Sequence, residues 1–330
     1  MSIAVIGAGS WGTALAILLA GYGNQVQLVG RDPDAIRKMH NQRENRRYLP
    51  GIHFPDTLTP TCDLSQALSG AEQIWLVLPS GALATFLQEY ADQLPRDVGY
   101  VSASKGFQPG TARRISEMVA DTLGPVRFAV LSGPTFAREV AAGAPSAVTV
   151  ASEDPEFAQA VAHIVHGPRF RAYTTEDVLG VELGGGLKNV LAIAAGVSDG
   201  FAFGANARAA LITRGLAELI RLGDAMGAHR ETFMGMAGLG DLVLTCTDNQ
   251  SRNRRFGLLL AKGLSKDEAL QTIRQSVEGL QAAAEAKRLA DRYGVDMPIT
   301  TAVNHVLFEG WSAKDAVAQL LSRSPRSEGL

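Results

Sequence analysis

Ile3-Ala4-Val5-Ile6-Gly7-Ala8-Gly9-Ser10-Trp11-Gly12, followed by the Ala- and Leu-rich stretch Thr13 to Ala20, decides the fold. A short apolar run of strand type passes into a glycine turn and then into a helix without a gap. Gly7 permits the tight turn out of the strand. Gly9, lacking a Cβ, lets a pyrophosphate approach the backbone, and Gly12 lets the helix lie close on the sheet. The first helical turn then offers unpaired N–H groups and the positive end of its dipole to phosphate. A glycine turn in an ordinary α/β domain is the plainer reading. Three glycines at this spacing behind a strand favour dinucleotide binding instead.

The chain has 330 residues, 46% of them hydrophobic, which is length for two domains and a large core. A net charge of −2 argues against a general nucleic-acid binder. Cys62 and Cys246 are far apart and lack metal-ligand spacing, so they read as reduced thiols of a cytosolic protein. No charged leader with an apolar region precedes the first strand, and no uninterrupted apolar run reaches membrane-spanning length. A cytoplasmic protein without membrane insertion is therefore expected. The tail Ser322 to Leu330 has little to bury and is expected to fray.

Working outward from the glycine turn, the second strand is Val26 to Val29, followed by Gly30-Arg31-Asp32. An acidic residue at this strand end would bond the ribose 2′-hydroxyl of NAD. Arg31 stands there instead, placed to meet a 2′-phosphate or to be a solvated loop cation, while Asp32 suits capping a helix that begins near Pro33. A helix is expected from residue 34 towards a polar turn ending at Pro50, and a buried strand over 73–78. The strand at 99–102 runs into Ala103-Ser104-Lys105-Gly106, which places Lys105 at a carboxyl strand end, where such sheets bind ligands. The strand at 127–132 ends in Ser132-Gly133-Pro134-Thr135-Phe136-Ala137, turn chemistry that exposes backbone N–H groups. Strands near 147–151 and 170–174 close this half. The alternation predicts a doubly wound α/β domain over residues 1–178. Beyond it the periodicity is helical, with helices expected over 176–197, 206–227, 252–262, 265–274, 279–293 and 312–321, so residues 179–330 form an all-α domain.

Two clusters in that helical half carry chemistry. In Leu183 to Val197, Lys188 and Asn189 are the only polar side chains. Burial disfavours an ammonium, and a lysine that gives up its proton more easily suits proton transfer near neutral pH. The alternative is a lysine that snorkels out of a core helix. The run Gly184-Gly185-Gly186 weakens the helix by roughly 1 kcal/mol per residue, which implies that something approaches the backbone there. The second cluster lies in residues 238–255. Asp241, after a Gly-Leu-Gly turn, either caps a helix or orients the lysine. Ser251-Arg252-Asn253-Arg254-Arg255 opens a helix with a hydroxyl, a guanidinium and an amide, a cradle for phosphate. Arg254 and Arg255 also read as a solvated basic face.

Taken together, GAGSWGTALA, SASKG, SGPTFAREV, LKNVLAIAAG, MAGLGDLVLTCT, SRNRRFG and the VEG at Val277 to Gly279 resemble the bacterial NAD(P)-dependent glycerol-3-phosphate dehydrogenases, in order and over nearly the whole chain. The resemblance implies a Rossmann domain followed by a helical domain. It implies reversible reduction of dihydroxyacetone phosphate to sn-glycerol 3-phosphate for phospholipid synthesis, with NADPH or NADH, no metal and a homodimer. By match, Lys188 corresponds to the proton-transferring residue. Lys105, Gly133, Thr135, Lys188, Asp241, Ser251, Arg252 and Asn253 correspond to substrate contacts. Gly7, Gly9, Ser10, Trp11, Gly12, Arg31, Lys105, Ala137, Arg252, Ser276 and Glu278 correspond to cofactor contacts, with Ser276 standing where the family commonly has an aliphatic residue. The competing readings are a two-domain dehydrogenase of a β-hydroxyacid or ketopantoate, and a non-catalytic NADP-binding redox sensor. The Ser-Arg-Asn-Arg-Arg segment favours a phosphorylated substrate, and a sensor has no need of a lysine in an apolar helix.

Overall fold

The computed structural model describes residues 1–324 and forms two compact units. The first comprises residues 1–105 and 114–178, the second residues 106–113 and 179–330. The segment Gly106–Arg113, which a single boundary at residue 178 assigns to the first domain, thus belongs to the second. Residues 325–330 of the tail lie outside the described residues. Ser322 to Ser324, which precede them, are exposed.

Strands and helices alternate in the first unit: β1 (Ser2–Ile6), α1 (Ser10–Gly21), β2 (Gln25–Val29), α2 (Pro33–Gln42), β3 (Leu58–Thr61), α3 (Leu64–Leu68), β4 (Gln73–Leu76), α4 (Ser80–Tyr90) and β5 (Gly99–Ser102). Then come α5 (Ile115–Leu123), β6 (Phe128–Ser132), α6 (Ala137–Ala141), β7 (Ser146–Ala151), α7 (Pro155–Val165) and β8 (Phe170–Thr175). The eight strands form one sheet in the order β3-β2-β1-β4-β5-β6-β7-β8, with every pair parallel except β6 and β7. Strand order reverses at β1, where Ile6 pairs with Val29 on one side and Leu76 on the other. That reversal opens the crevice in which doubly wound sheets bind ligands, and the glycine turn begins at the next residue. β1 is buried on both faces: Ile3 and Val5 enter one core, Ala4 and Ile6 the other.

In the second unit come α8 (Val178–Gly200), α9 (Gly204–Met226), α10 (Arg230–Met234), a π-helical turn at Met236–Gly240, α11 (Asp241–Thr247) and α12 (Arg252–Ala261). They are followed by α13 (Lys266–Ile273), α14 (Glu278–Tyr293), α15 (Pro298–Phe308) and α16 (Ala313–Leu321). α8 is long and apolar enough to cross a membrane although Glu182, Lys188 and Asn189 interrupt its apolar run, and 94% of its apolar window is buried inside the protein. It is the centre of a single core that also takes Phe107 and Ala112 from the inserted segment. Gly184 and Gly186 serve this packing. A Cβ at Gly184 would stand 2.6 Å from the Ala237 carbonyl oxygen, and one at Gly186 would stand 2.8 Å from the Phe107 ring. The groups that approach the glycine run are therefore the protein's own.

Candidate functional site

The glycine turn of the first unit is built as its sequence requires. Gly7 has φ +122°, a conformation open to glycine, and a Cβ there would meet the Val77 carbonyl oxygen at 2.3 Å. A Cβ at Gly12 would lie 1.8 Å from the Gly7 carbonyl oxygen, so the helix and the turn touch backbone to backbone. Around Gly9 nothing stands within 4 Å of the Cβ position. Gly9 is the N-cap of α1 and provides no side-chain cap, which leaves the first helical turn to an anion. The Trp11 indole N–H is buried without a hydrogen-bond partner, an orphaned donor at the edge of this cradle. These features fit a dinucleotide.

Two residues at the end of β2 bear on the cofactor reading. Asp32 accepts from the backbone N–H groups of Asp34 (3.0 Å) and Ala35 (3.2 Å) and so is the cap of α2. Arg31 is exposed at the end of β2. Sequence reasoning missed Asn45. Its amide is buried and donates to the Ala8 carbonyl (3.1 Å) and the Thr13 hydroxyl (2.8 Å), bracing the glycine turn from a loop about thirty residues away. Nothing local in the sequence marks that role.

At the carboxyl ends of β5 and β6, Lys105, Gly133 and Thr135 converge on one atom. The Gly133 carbonyl accepts from Lys105 Nζ at 3.5 Å and from Thr135 Oγ1 at 3.2 Å. A Cβ at Gly133 would press to 2.8 Å on the Ala147 carbonyl oxygen, so the turn packs against β7. Ala137, half-buried, begins α6.

In the second unit Lys188 and Asp241 form a buried ion pair through Nζ and Oδ1. The lysine does not snorkel, and the aspartate does not cap. α11 is capped by Gly240 without a side-chain bond, and the π turn, rich in glycine, delivers Asp241 to the lysine. A carboxylate in contact favours the ammonium that burial disfavours, so the proton belongs to the pair. Thr245, also buried, donates to the Asp241 backbone carbonyl at 2.6 Å. The Cys246 thiol beside them is pushed up to about 12 by burial and is inert.

The cradle at α12 is more engaged than its sequence suggests. Ser251 caps the helix by accepting from the Arg254 N–H at 3.2 Å, which leaves its hydroxyl hydrogen to donate. Asn253 is buried, donates to Asn189 Oδ1 (2.8 Å) and accepts from the Gly279 N–H (2.8 Å). Asn189 in turn donates to Glu278 at 3.3 Å. Arg252 is half-buried and stands 4.0 Å from the same carboxylate. Ser276 is exposed between α13 and α14. Arg254 is no solvated cation: its guanidinium is buried against Asp199.

A glycine turn open to a dinucleotide at the switch point of a doubly wound sheet, and a helical unit with a buried lysine–aspartate pair on an otherwise apolar helix, are the features of a nicotinamide-dependent dehydrogenase of the two-domain type. Residues 2–158 match the N-terminus of NAD-dependent glycerol-3-phosphate dehydrogenase and residues 177–318 match its C-terminus. The chain belongs to that family. A glycerol-3-phosphate dehydrogenase (NAD(P)+) of Pseudoalteromonas translucida is 53% identical over 329 residues, covering 99% of this chain and 98% of the relative. The one of Thioalkalivibrio sulfidiphilus is 55% identical over 328 residues, covering 99% and 98%. The crystal structure of the Coxiella burnetii glycerol-3-phosphate dehydrogenase superposes with a TM-score of 0.94 at 47% identity, covering 97% of this chain and 98% of that one.

Proposed function

We propose that this chain catalyses the reversible NAD(P)H-dependent reduction of dihydroxyacetone phosphate to sn-glycerol 3-phosphate, as a cytoplasmic homodimer that supplies glycerophospholipid synthesis. The observation that carries the reading is the buried Lys188–Asp241 pair on an otherwise apolar helix. When bound, the nicotinamide cofactor supplies the hydride. The glycine turn at the start of α1 would hold its pyrophosphate, and Arg31 would meet the 2′-phosphate of NADP. The Trp11 indole N–H would donate to the cofactor, with Ser10 and Ala137 as further candidates in the first unit, and Ser276 and Glu278 are the candidates in the second.

Lys188 gives its proton to the carbonyl oxygen as charge develops there, and takes it back in the oxidative direction. Asp241 holds the ammonium in place and balances its charge. Lys105, which donates to the Gly133 carbonyl together with Thr135, is the first unit's candidate for a substrate contact. Ser251 and Arg252, at the start of α12, bind the phosphate of the substrate, and Asn253 orients them through its two bonds.

The competing reading is a ketopantoate reductase. The test is a spectrophotometric comparison of NADPH and NADH oxidation with dihydroxyacetone phosphate and with ketopantoate. Turnover on the phosphorylated ketone alone is expected, and preference for ketopantoate overturns the reading.

A further inference from the structure

We infer that Asp199 and Arg254 lock α12 to α8 in the one register that sets the phosphate cradle at its working distance from Lys188, which makes both of them positioning residues. The inference rests on the reading of Ser251, Arg252 and Asn253 as that cradle. α8 and α12 cross with their backbones in contact. A Cβ at Gly196 would lie 2.0 Å from the Arg254 carbonyl oxygen, and one at Gly257 would lie 2.1 Å from the Ile193 carbonyl oxygen. A glycine crossing permits close approach, but its smooth surfaces do little to resist sliding or rotation.

Two polar links bracket the crossing and supply that resistance. On the Lys188 side Asn253 is bonded to Asn189. About three turns further along α8, Asp199 Oδ2 accepts from Arg254 Nε (3.0 Å) and Nη2 (2.6 Å), while Nη1 of the same guanidinium donates to Asn249. The other oxygen, Oδ1, accepts from Arg208 Nη1 at 2.8 Å, so both carboxylate oxygens are held. The side chains of Asp199 and Arg254 are 9% and 10% exposed, so water loosens neither.

The arrangement also answers an electrostatic difficulty. Arg252, Arg254 and Arg255 lie in the first turn of α12, where the helix dipole disfavours cations. Asp199 balances Arg254 and keeps its guanidinium turned to α8. Arg252 then remains at the helix start, adjacent in sequence to the residue that is locked. A buried ion pair is weak evidence for stability, but its directional geometry fixes a register.

The test compares Asp199→Asn, Arg254→Lys and Arg208→Met in the full-length enzyme, assayed with dihydroxyacetone phosphate and with unphosphorylated dihydroxyacetone. Asp199→Asn should raise KM for the phosphorylated ketone about tenfold, with kcat within threefold of wild type and kcat/KM for the unphosphorylated ketone much less affected. Arg254→Lys keeps the charge and loses the two-pronged bond, so it should show the same split. It also supplies the answer if Asp199→Asn does not fold. Arg208→Met leaves the Arg254 bonds intact and frees only Oδ1, so it should raise KM for the phosphorylated ketone less than either lock variant, and an effect as large as theirs would overturn the assignment to the Asp199–Arg254 pair. A purely structural pair lowers the melting temperature and leaves the KM ratio of the two ketones unchanged, and that outcome overturns the inference. Arg252→Ala separates the two layers. If it discriminates between the ketones and Asp199→Asn and Arg254→Lys do not, the lock falls and the cradle stands. If neither it nor the lock variants discriminate, both fall.

Discussion

At the residue scale the proposed chemistry rests on side chains whose surroundings contradict their usual habits. Lysine is ordinarily solvated, yet Lys188 is buried and paired with Asp241. Replacing it with alanine should lower kcat by roughly 10²–10⁴-fold, the range for a positioned proton donor, with NADPH affinity nearly unchanged. Steady-state kinetics together with NADPH titration check this, and a folded variant that keeps most of its activity removes Lys188 from the mechanism. Arg31 is exposed at the end of β2, and Asp32 is committed to capping α2. NADPH is therefore expected to serve at least as well as NADH. Arg31→Asp should raise KM for NADPH far more than for NADH, and equal effects on both cofactors would sink the assignment. The lysine was legible in the sequence because a charge in an apolar helix is anomalous on its face. Asn45, Asp199 and Thr245 were not, because each is an ordinary polar residue whose partner is set only by tertiary packing.

At the element scale the periodic segments were legible and the short or interrupted ones were not. β3, Leu-Thr-Pro-Thr, is an edge strand that tolerates Pro60 because one side of it needs no ladder bond. The reversed β7 carries no sign of its direction, since β-branched alternation reads the same either way. α15 was missed altogether. It starts at Pro298, with two threonines and no side-chain cap of its own. Its start is fixed from α9 instead: Glu218, 1% exposed, accepts from the N–H groups of Ile299 (2.6 Å) and Thr300 (3.1 Å) and from the Thr300 hydroxyl (3.0 Å). Burial pushes the Glu218 carboxyl up from 4.5 to about 7, against the pull of those hydrogen bonds and of Arg221. A carboxyl raised in the folded state favours folding when protonated. Its contribution is complete below pH 4.5 and is lost as pH rises through 7. Glu218→Gln removes the titration. The stability of wild type relative to the variant should fall by about 3 kcal/mol between pH 4.5 and 8, as read by denaturant unfolding across that window. A difference that stays flat with pH would show that the carboxylate is ionised in the folded protein throughout.

At the scale of the whole molecule the chain leaves the first unit twice, once for the short segment Gly106–Arg113 and once for good after Val178. The sequence concealed the first departure, because Lys105-Gly106-Phe107 continues a strand-end loop and nothing in its composition marks a change of core. The structure places Phe107 (1% exposed) and Ala112 (2%) in the core of the second unit, with Phe107 against Gly186 on α8. The segment is tied there by its backbone as well: the Gly110 N–H donates to Glu285 at 2.8 Å, and the Thr111 carbonyl accepts from Arg292 at 3.1 Å. A substitution surrounded in sequence by the first unit should therefore destabilise the second. Phe107→Ala removes a fully buried ring and should cost about 3–5 kcal/mol, the usual range for such a cavity. Amide hydrogen exchange locates that loss, because each cooperative unit opens with its own free energy. Peptides of α8 and α14 should exchange faster in the variant, while those of β1, β4 and β5 keep their wild-type rates. NADPH at about 100 times its dissociation constant supplies the complementary probe. It stabilises whatever it binds by about 2.7 kcal/mol and, held at the glycine turn, should slow exchange in β1 and α1 equally in wild type and variant. Faster exchange in the sheet of Phe107→Ala, with α8 unmoved, would return the segment to the first unit.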